Sequence, residues 1–327
     1  MAVEPTRLRL RPDRNLAMEL VRATEAAAIR AFPFVGRGDK DAADAAAVDA
    51  MRAFLATVEF AGRIVIGEGE KDSAPMLFNG EIVGNGEGPE CDVAVDPIDG
   101  TSLTASGRQH ALSVIAVADR GTMLDASAVF YMNKLVTGPV GRGVCDISQS
   151  VADNVREYAK ASGKSVGEVV VAILDRPRHQ QLIEEVREAG ATTRLMLDGD
   201  VAGGIQAARP ESRVDICLGI GGSPEGVVTA CAIRALGGFM QGQLVVSSEH
   251  ERQAAIEAGL QLERSYEIEE LVSSENTFFV ATGVTDGALL RGVRRVGERL
   301  HTESIVIRGS SGTVRYVSAE HRAGRWG

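Results

Sequence analysis

"CDVAVDPIDGTSL", residues 91–103, begins as an apolar strand and ends on a charged turn. Strand alternation accommodates Asp92. Asp96 and Asp99 flank a proline that fixes the backbone between them, so both carboxylates can point to one side of a tight turn. Clustered carboxylates repel one another, so the stretch is either an acidic loop facing water or a cation site. Gly100 and Thr101 then open a helix-like turn whose backbone N–H groups can receive an anion.

Similar units recur along the chain. Short apolar runs at 63–67, 91–95, 111–118, 169–174, 193–197, 214–219 and 277–282 predict strands, with another pair near 125–137. Helical spacing predicts helices at 15–31, 42–57 and 224–236, with others starting near His179 and after Asp200. "SIVIRGSSGTVRYVS" predicts a terminal hairpin closed at 309–312. The alternation after residue 146 predicts crossover units and a largely parallel sheet, whereas the first part has more antiparallel pairing. The fold class is therefore mixed α/β in two lobes: a metal-binding lobe over 1–146 and a substrate lobe over 147–327.

Composition narrows the function. The chain has 327 residues, 44% of them hydrophobic and only 4% aromatic, so Val, Ile, Leu and Ala must build the core. A formal net charge of −10 argues against a nucleic-acid partner, but one local basic pocket would suffice for a phosphorylated small molecule. Cys91, Cys145, Cys217 and Cys231 form no C-x-x-C pair and read as structural thiols. The basic first fifteen residues lack the apolar stretch of a signal peptide. Nothing approaches the ~18 apolar residues of a membrane span. A cytoplasmic protein is expected. Nucleotide-binding loops fail on spacing, because Pro224 and Tyr158 stand where glycines are required. No histidine follows a nucleophile signature, and His179 is expected to be exposed or to cap a helix.

Open α/β sheets bind ligands beyond the carboxyl ends of their strands. The loops there read "GEGEKD" (67–72), "DPIDGT" (96–101), "DRPRH" (175–179), "DGD" (198–200) and "GGSPEG" (221–226). Carboxylates from separate strand ends suit a hard cation such as Mg²⁺ or Mn²⁺. Such a site beside an anion-receiving turn suggests metal-assisted hydrolysis of a phosphate ester. Arg176 and Arg178 have the planar forks that suit phosphate oxygens, while Asp198 and Asp200 suit sugar hydroxyls.

"DPIDGT" resembles the aspartate signature of the lithium-sensitive, metal-dependent sugar and inositol phosphatases. With "GRGDKDAADAAAVDAMR", "IVIGEGEKDSAPMLFNG", "VFYMNK", "ILDRPRH", "DGDVAG" and "GIGGSPEGVV", the chain resembles the bacterial class II fructose-1,6-bisphosphatases from about residue 15 to 318. The resemblance implies a layered α-β-α-β-α sandwich and removal of the 1-phosphate of fructose 1,6-bisphosphate in gluconeogenesis. Some members also take sedoheptulose 1,7-bisphosphate. It implies Mg²⁺ or Mn²⁺ held by Asp44, Glu68, Asp96, Asp99 and Glu225, although some members carry Glu in place of Asp99. Lys40 and Asp72 fall on active-site positions, and Thr101 is read as orienting the attacking water with Asp44 or Asp72. The implied substrate contacts are Asp99, Gly100, Thr101, Tyr131, Arg176, Pro177, Arg178, Asp198, Gly199, Asp200 and Gly222. A homo-oligomer, dimer or tetramer, is expected. An inositol or nucleotide monophosphatase would need only one phosphate site, which the two-arginine loop argues against. A non-catalytic sugar-phosphate sensor would have lost some of the acids.

Overall fold

The computed structural model describes residues 16–69 and 76–325. Ala and Leu at helical spacing build α1 (Leu16–Ala31) and α2 (Lys40–Leu55). Asp39 caps α2 by accepting the Ala42 N–H at 3.0 Å, which starts that helix two residues before the expected position. Then come β1 (Ala61–Ile66), β2 (Ile82–Val83), β3 (Glu90–Asp99), the short α3 (Thr101–Ala105), β4 (Leu112–Asp119) and β5 (Tyr131–Thr137). Helices and strands alternate next: α4 (Val151–Ser162), β6 (Val170–Leu174), α5 (Gln180–Glu188), β7 (Thr192–Met196), α6 (Asp200–Ala208), β8 (Ile216–Gly222), α7 (Ser223–Ala235) and β9 (Phe239–Val245). α8 (Glu249–Glu257), β10 (Tyr266–Glu267) and α9 (Ile268–Leu271) lead to β11 (Phe278–Gly283) and β12 (Arg294–Val296). β13 (Arg299–Arg308) and β14 (Thr313–Arg322) form the terminal hairpin, turning at 309–312.

One sheet has the order β12-β13-β11-β4-β3-β1-β2 with β14 along β13, and within it only β1 and β3 pair in parallel. The other has the order β10-β9-β5-β8-β6-β7. Helical crossovers keep β6, β7, β8 and β9 running in one direction, as expected. β5, however, inserts antiparallel between β8 and β9, so this sheet is mixed rather than largely parallel. Only one strand forms within 125–137, because Asp125 accepts the Ser127 N–H and hydroxyl and turns the chain there. Strand membership crosses residue 146 in both directions: β5 joins the second sheet, and β11 to β14 join the first.

The layers follow from which faces are apolar. α1 and α2 cover one face of the first sheet, and α4 and α5 the outer face of the second. α7 packs on β3, β4 and β11 on one side and on β5, β8 and β9 on the other. Its sequence after Glu225, GVVTACAIRA, is apolar nearly all round, as burial between two sheets requires. The result is an α-β-α-β-α sandwich. All four cysteines are buried thiols. Among the described residues no helix is long and apolar enough to cross a membrane.

Asp92 fastens the layers near its strand. Its Oδ2 accepts the Thr122 and Met123 N–H groups at 2.8 and 3.1 Å, and Arg120 Nε lies 3.5 Å from Oδ1. Asp92→Ala leaves these buried donors without an acceptor. It is expected to lower unfolding stability by about 3 kcal/mol, read as a lower urea midpoint at unchanged slope. A parental midpoint would overturn that role.

Candidate active site

Because β1 and β3 run parallel, their carboxyl ends reach the same edge of the first sheet, and the codirectional β6, β7 and β8 end together in the second. Between the two edges lies a cleft of about 610 Å³, with Lys40, Asp44, Glu68, Asp96, Asp99, Gly100, Thr101, Asp198 and Glu225 among its lining residues. Lys40 and Asp44 come from successive turns of α2. Glu70 and Asp72, of the "GEGEKD" segment, lie outside the described residues.

The end of β3 is shaped by a bulge. Asp96 faces Val114 but Asp99 faces Leu112, so β3 holds one extra residue, and Pro97 sits inside the irregularity. Asp96 Oδ1 accepts the Ile98 N–H at 3.0 Å. Gly100, at φ 94°, turns the chain into α3 through a conformation that side chains disfavour. Thr101 Oγ1 donates to the Ile98 carbonyl at 3.1 Å. Its proton is thus committed to the backbone rather than to an acid, and its lone pairs remain as acceptors.

The expected loop at 221–226 is absent, since β8 runs to Gly222 and α7 begins at Ser223. The glycines here give room rather than flexibility. A Cβ on Gly221 would collide with the Asp200 carboxylate, and one on Gly222 with that of Glu225.

Arg176 and Arg178 straddle Pro177, the first residue of a 3₁₀ turn. Arg176 Nη2 donates to Asp198 Oδ1 at 2.6 Å, which ties the basic loop to the cleft wall. Arg178 donates Nε and Nη2 to the Ile220 carbonyl at 3.0 and 2.8 Å and lies 5.0 Å over the Tyr131 ring, which leaves Nη1 without a partner among the described residues. Asp198 and Asp200 therefore pair with separate cations rather than acting as a carboxylate pair. His179 is neither exposed nor a side-chain cap. It is 2% exposed, its Nδ1–H donates to Leu174 O at 2.7 Å, and its Nε2 accepts the Ile220 N–H at 2.8 Å. Burial holds its imidazole below the ordinary range, which favours this neutral tie.

The family described as "Bacterial fructose-1,6-bisphosphatase, glpX-encoded" matches residues 14–321. The chain belongs to that family. Fructose-1,6-bisphosphatase 1 class 2 of Escherichia coli (strain K12) is 44% identical over 321 residues, 94% of this chain and 95% of the relative. Fructose-1,6-bisphosphatase class 2 of Shigella flexneri matches at the same 44% identity over the same 94% and 95% shares. Among solved structures, an extragenic suppressor from Pyrococcus furiosus aligns at a TM-score of 0.28 and 15% identity, over 59% of this chain and 68% of its own.

In this chain of the fructose-1,6-bisphosphatase family the cleft acids crowd one another. Burial first, then Asp99, Glu225, Glu68 and Asp44, hold the Asp96 carboxyl well above its usual range. Asp99 is raised in the same way, by burial and then by Asp200 and Glu225. Glu68 is pushed up to about 7 by burial, Asp44 and Glu225. Burial also raises Asp44, with Asp41 adding, and Glu225, with Asp200 adding. Among the described residues, Asp99 Oδ2 and Glu225 Oε2 are buried without a hydrogen-bond partner. Unsatisfied oxygens in an oxygen-only donor set fit a hard divalent cation. Among the described residues no three such groups gather closely enough to hold a metal ion as they stand.

One residue escaped the sequence reading. Lys134, 5% exposed, forms an ion pair with Asp200 and donates to the Gly222 carbonyl at 3.1 Å. The available signal is its strand parity. Met132 and Lys134 both face α7 from β5, where a Cβ on Gly226 would lie 2.7 Å from Met132 Sδ and 3.4 Å from Lys134 Cδ. A lysine at an inward strand position calls for a buried counter-charge. Lys134→Met strands Asp200 and is expected to cost about 3–5 kcal/mol of stability, part of it restored by adding Asp200→Leu. Urea melts of parent, single and double variants measure this, and a single variant as stable as the parent would refute the pairing.

Proposed function

We propose that the chain is a metal-dependent phosphoric monoester hydrolase that removes the 1-phosphate of fructose 1,6-bisphosphate, yielding fructose 6-phosphate and phosphate in gluconeogenesis. The observation that carries this reading is one cleft with mutually repelling carboxylates along its walls, joined through Asp198 to a guanidinium loop. Family membership and the class 2 relatives support the same chemistry.

Asp44, Glu68, Asp96, Asp99 and Glu225 would hold Mg²⁺ or Mn²⁺. When bound, such a cation supplies Lewis acidity and charge neutralisation toward the ester oxygens. Hydrolysis breaks the bond between phosphorus and the C1 oxygen and forms one between phosphorus and the water oxygen. Thr101 presents Oγ1 as an acceptor to the attacking water, with Asp44 or Asp72 as its acidic partner. Lys40, exposed at the start of α2, offers positive charge to the phosphate being cleaved. Arg178, whose Nη1 has no partner among the described residues, grips the phosphate that is retained, and Tyr131 beneath it covers the sugar.

A panel assay with Mg²⁺ or Mn²⁺ tests the substrate. Fructose 1,6-bisphosphate is expected to show kcat/KM at least about tenfold above fructose 6-phosphate and inositol 1-phosphate, because one charge-assisted phosphate contact is worth roughly 1.5–3 kcal/mol. Sedoheptulose 1,7-bisphosphate, one carbon longer with both charged ends, is expected to turn over as well. Equal kcat/KM for bisphosphate and monophosphates would sink the reading.

Asp96→Asn tests the cation site by a measurement independent of turnover. It removes one of the repelling charges, so in chelator the variant is expected to melt at or above the parent temperature. Added Mg²⁺ or Mn²⁺ should raise the parent's Tm, since a ligand of the folded state alone stabilises it by RT ln(1 + [L]/Kd), and the variant should gain much less. A variant that melts well below the parent in chelator, and gains equally from metal, would make Asp96 a structural hydrogen-bonder.

A further inference from the structure

Behind the cleft lies a second cavity, of about 490 Å³, between α3 with its following turn and the β7–α6 connection. Leu103, Arg108 and His110 line one side, and Arg194, Leu197 and Gln206 the other. The two cavities share walls. Asp198 lines both, and α3 turns Thr101 and Ser102 to the cleft but Leu103 to the cavity.

The charge here is unbalanced. Among the described residues neither Arg108 nor Arg194 makes an ion pair or a side-chain hydrogen bond, whereas Arg120, Arg176 and Arg178 are all engaged. Asp198 at the shared rim is already matched by Arg176. In a chain with 45 acidic and 35 Lys and Arg residues, two uncompensated arginines on one cavity are unexpected. Arg194 is half-buried, so it sheds water without a counter-ion, a cost that a bound anion would offset.

His110 adds a strained donor. It is a non-glycine residue at φ 84°, held by its N–H to the Asp286 carbonyl at 2.9 Å, and its Nδ1 accepts the Ala288 N–H at 3.3 Å. The neutral ring therefore carries its proton on Nε2, and burial followed by the Arg194 charge favours that neutral form. Leu195 and Leu197, 40% and 45% exposed, give the same cavity an apolar wall.

We propose that this cavity is a second ligand site, for a small phosphate- or phosphonate-type anion with an apolar body, coupled to the cleft through residues 197–200. The anionic head lies between Arg108 and Arg194, and the apolar body lies on the leucines. An occupant bears on the segment that carries Asp198 and Gly199. Gly199 abuts the cleft, since a Cβ there would lie 3.2 Å from Asp99 Oδ2. Occupancy is thus expected to change kcat rather than to compete with substrate.

The test uses phenylphosphonate, which cannot be hydrolysed at its P–C bond, titrated calorimetrically into the full-length protein, with inorganic phosphate and phenol as half-probes. Parent and Arg178→Ala should bind it alike, with each half-probe weaker. Arg194→Ala, Arg194→Gln and Arg108→Ala should each weaken binding about tenfold or more. In assays with fructose 1,6-bisphosphate, phenylphosphonate should shift the parent's kcat and leave that of Arg194→Gln unmoved, while both share one basal KM. This arm relies on the activity proposed above, but the calorimetry does not, so the two readings can fail separately. Undiminished binding to the Arg194 and Arg108 variants overturns the site. Binding lost in Arg178→Ala instead would place the ligand in the cleft, and a raised basal KM in Arg194→Gln would make the cavity a substrate subsite; either result overturns the proposal.

Discussion

A helix buried on both sides between two sheets can carry charge only at its ends; α7 is buried in this way, and α6, buried along nearly its whole length, packs beside it on the second sheet. Their acids, Asp200 and Glu225, stand in the first turn, where the helix dipole favours a carboxylate. α7 starts directly from β8 and α6 three residues after β7, and these codirectional strands end at the same edge. The middle layer of the sandwich therefore delivers Glu225 to the cleft where β1 and β3 deliver Glu68, Asp96 and Asp99, and sets Asp200 near enough for its charge to act on Asp99 and Glu225. Gly221 and Gly222 are the local accommodation, since side chains there would occupy the space of the Asp200 and Glu225 carboxylates.

Crowding acids is unfavourable, and the fold limits the cost selectively. Lys134 is buried beside Asp200, and Arg176 holds Asp198. Asp99 and Glu225 keep oxygens that no donor among the described residues satisfies. Asp198 and Asp200 are thus balanced by cationic side chains of the protein, while the unsatisfied oxygens of Asp99 and Glu225 fit an external cation. Asp92 shows the contrast within β3. Four residues from Asp96, it is fully occupied by backbone donors and Arg120. Identical side chains on one strand hold the fold together in one case and line the cleft in the other.

The second cavity follows the same logic with the opposite sign. Arg108 and Arg194 lie behind the wall that Asp198 and α3 share with the cleft, so an excess of acid on one side adjoins an excess of base on the other. That arrangement makes the 197–200 segment the natural link between the two spaces.

Local pattern was enough for most elements and for the acid-bearing loops, because strand runs, helix periodicity and turn chemistry are written in consecutive residues. "DPIDGT" announced a strand ending in clustered carboxylates, and the terminal hairpin turned where its glycines stood. The quoted motifs also sufficed to recognise the family, since several long segments recurred in one order. What the sequence could not decide was pairing between distant segments. β5 lies next to β8 and β9 because its inward face, with Met132 and Lys134, packs on α7, and nothing local to residues 131–137 encodes that neighbour. His179 stands at a helix start as its sequence suggests, yet it is buried rather than exposed because Leu174 O and Ile220 N, from two different strands, meet at its ring. Lys134 went unassigned for the same reason: a lysine's role depends on its counter-charge, and Asp200 arrives only when the middle helices close between the sheets. Short-range chemistry determined the pieces and their ligand types. Long-range packing decided which charges are neutralised and which stay open.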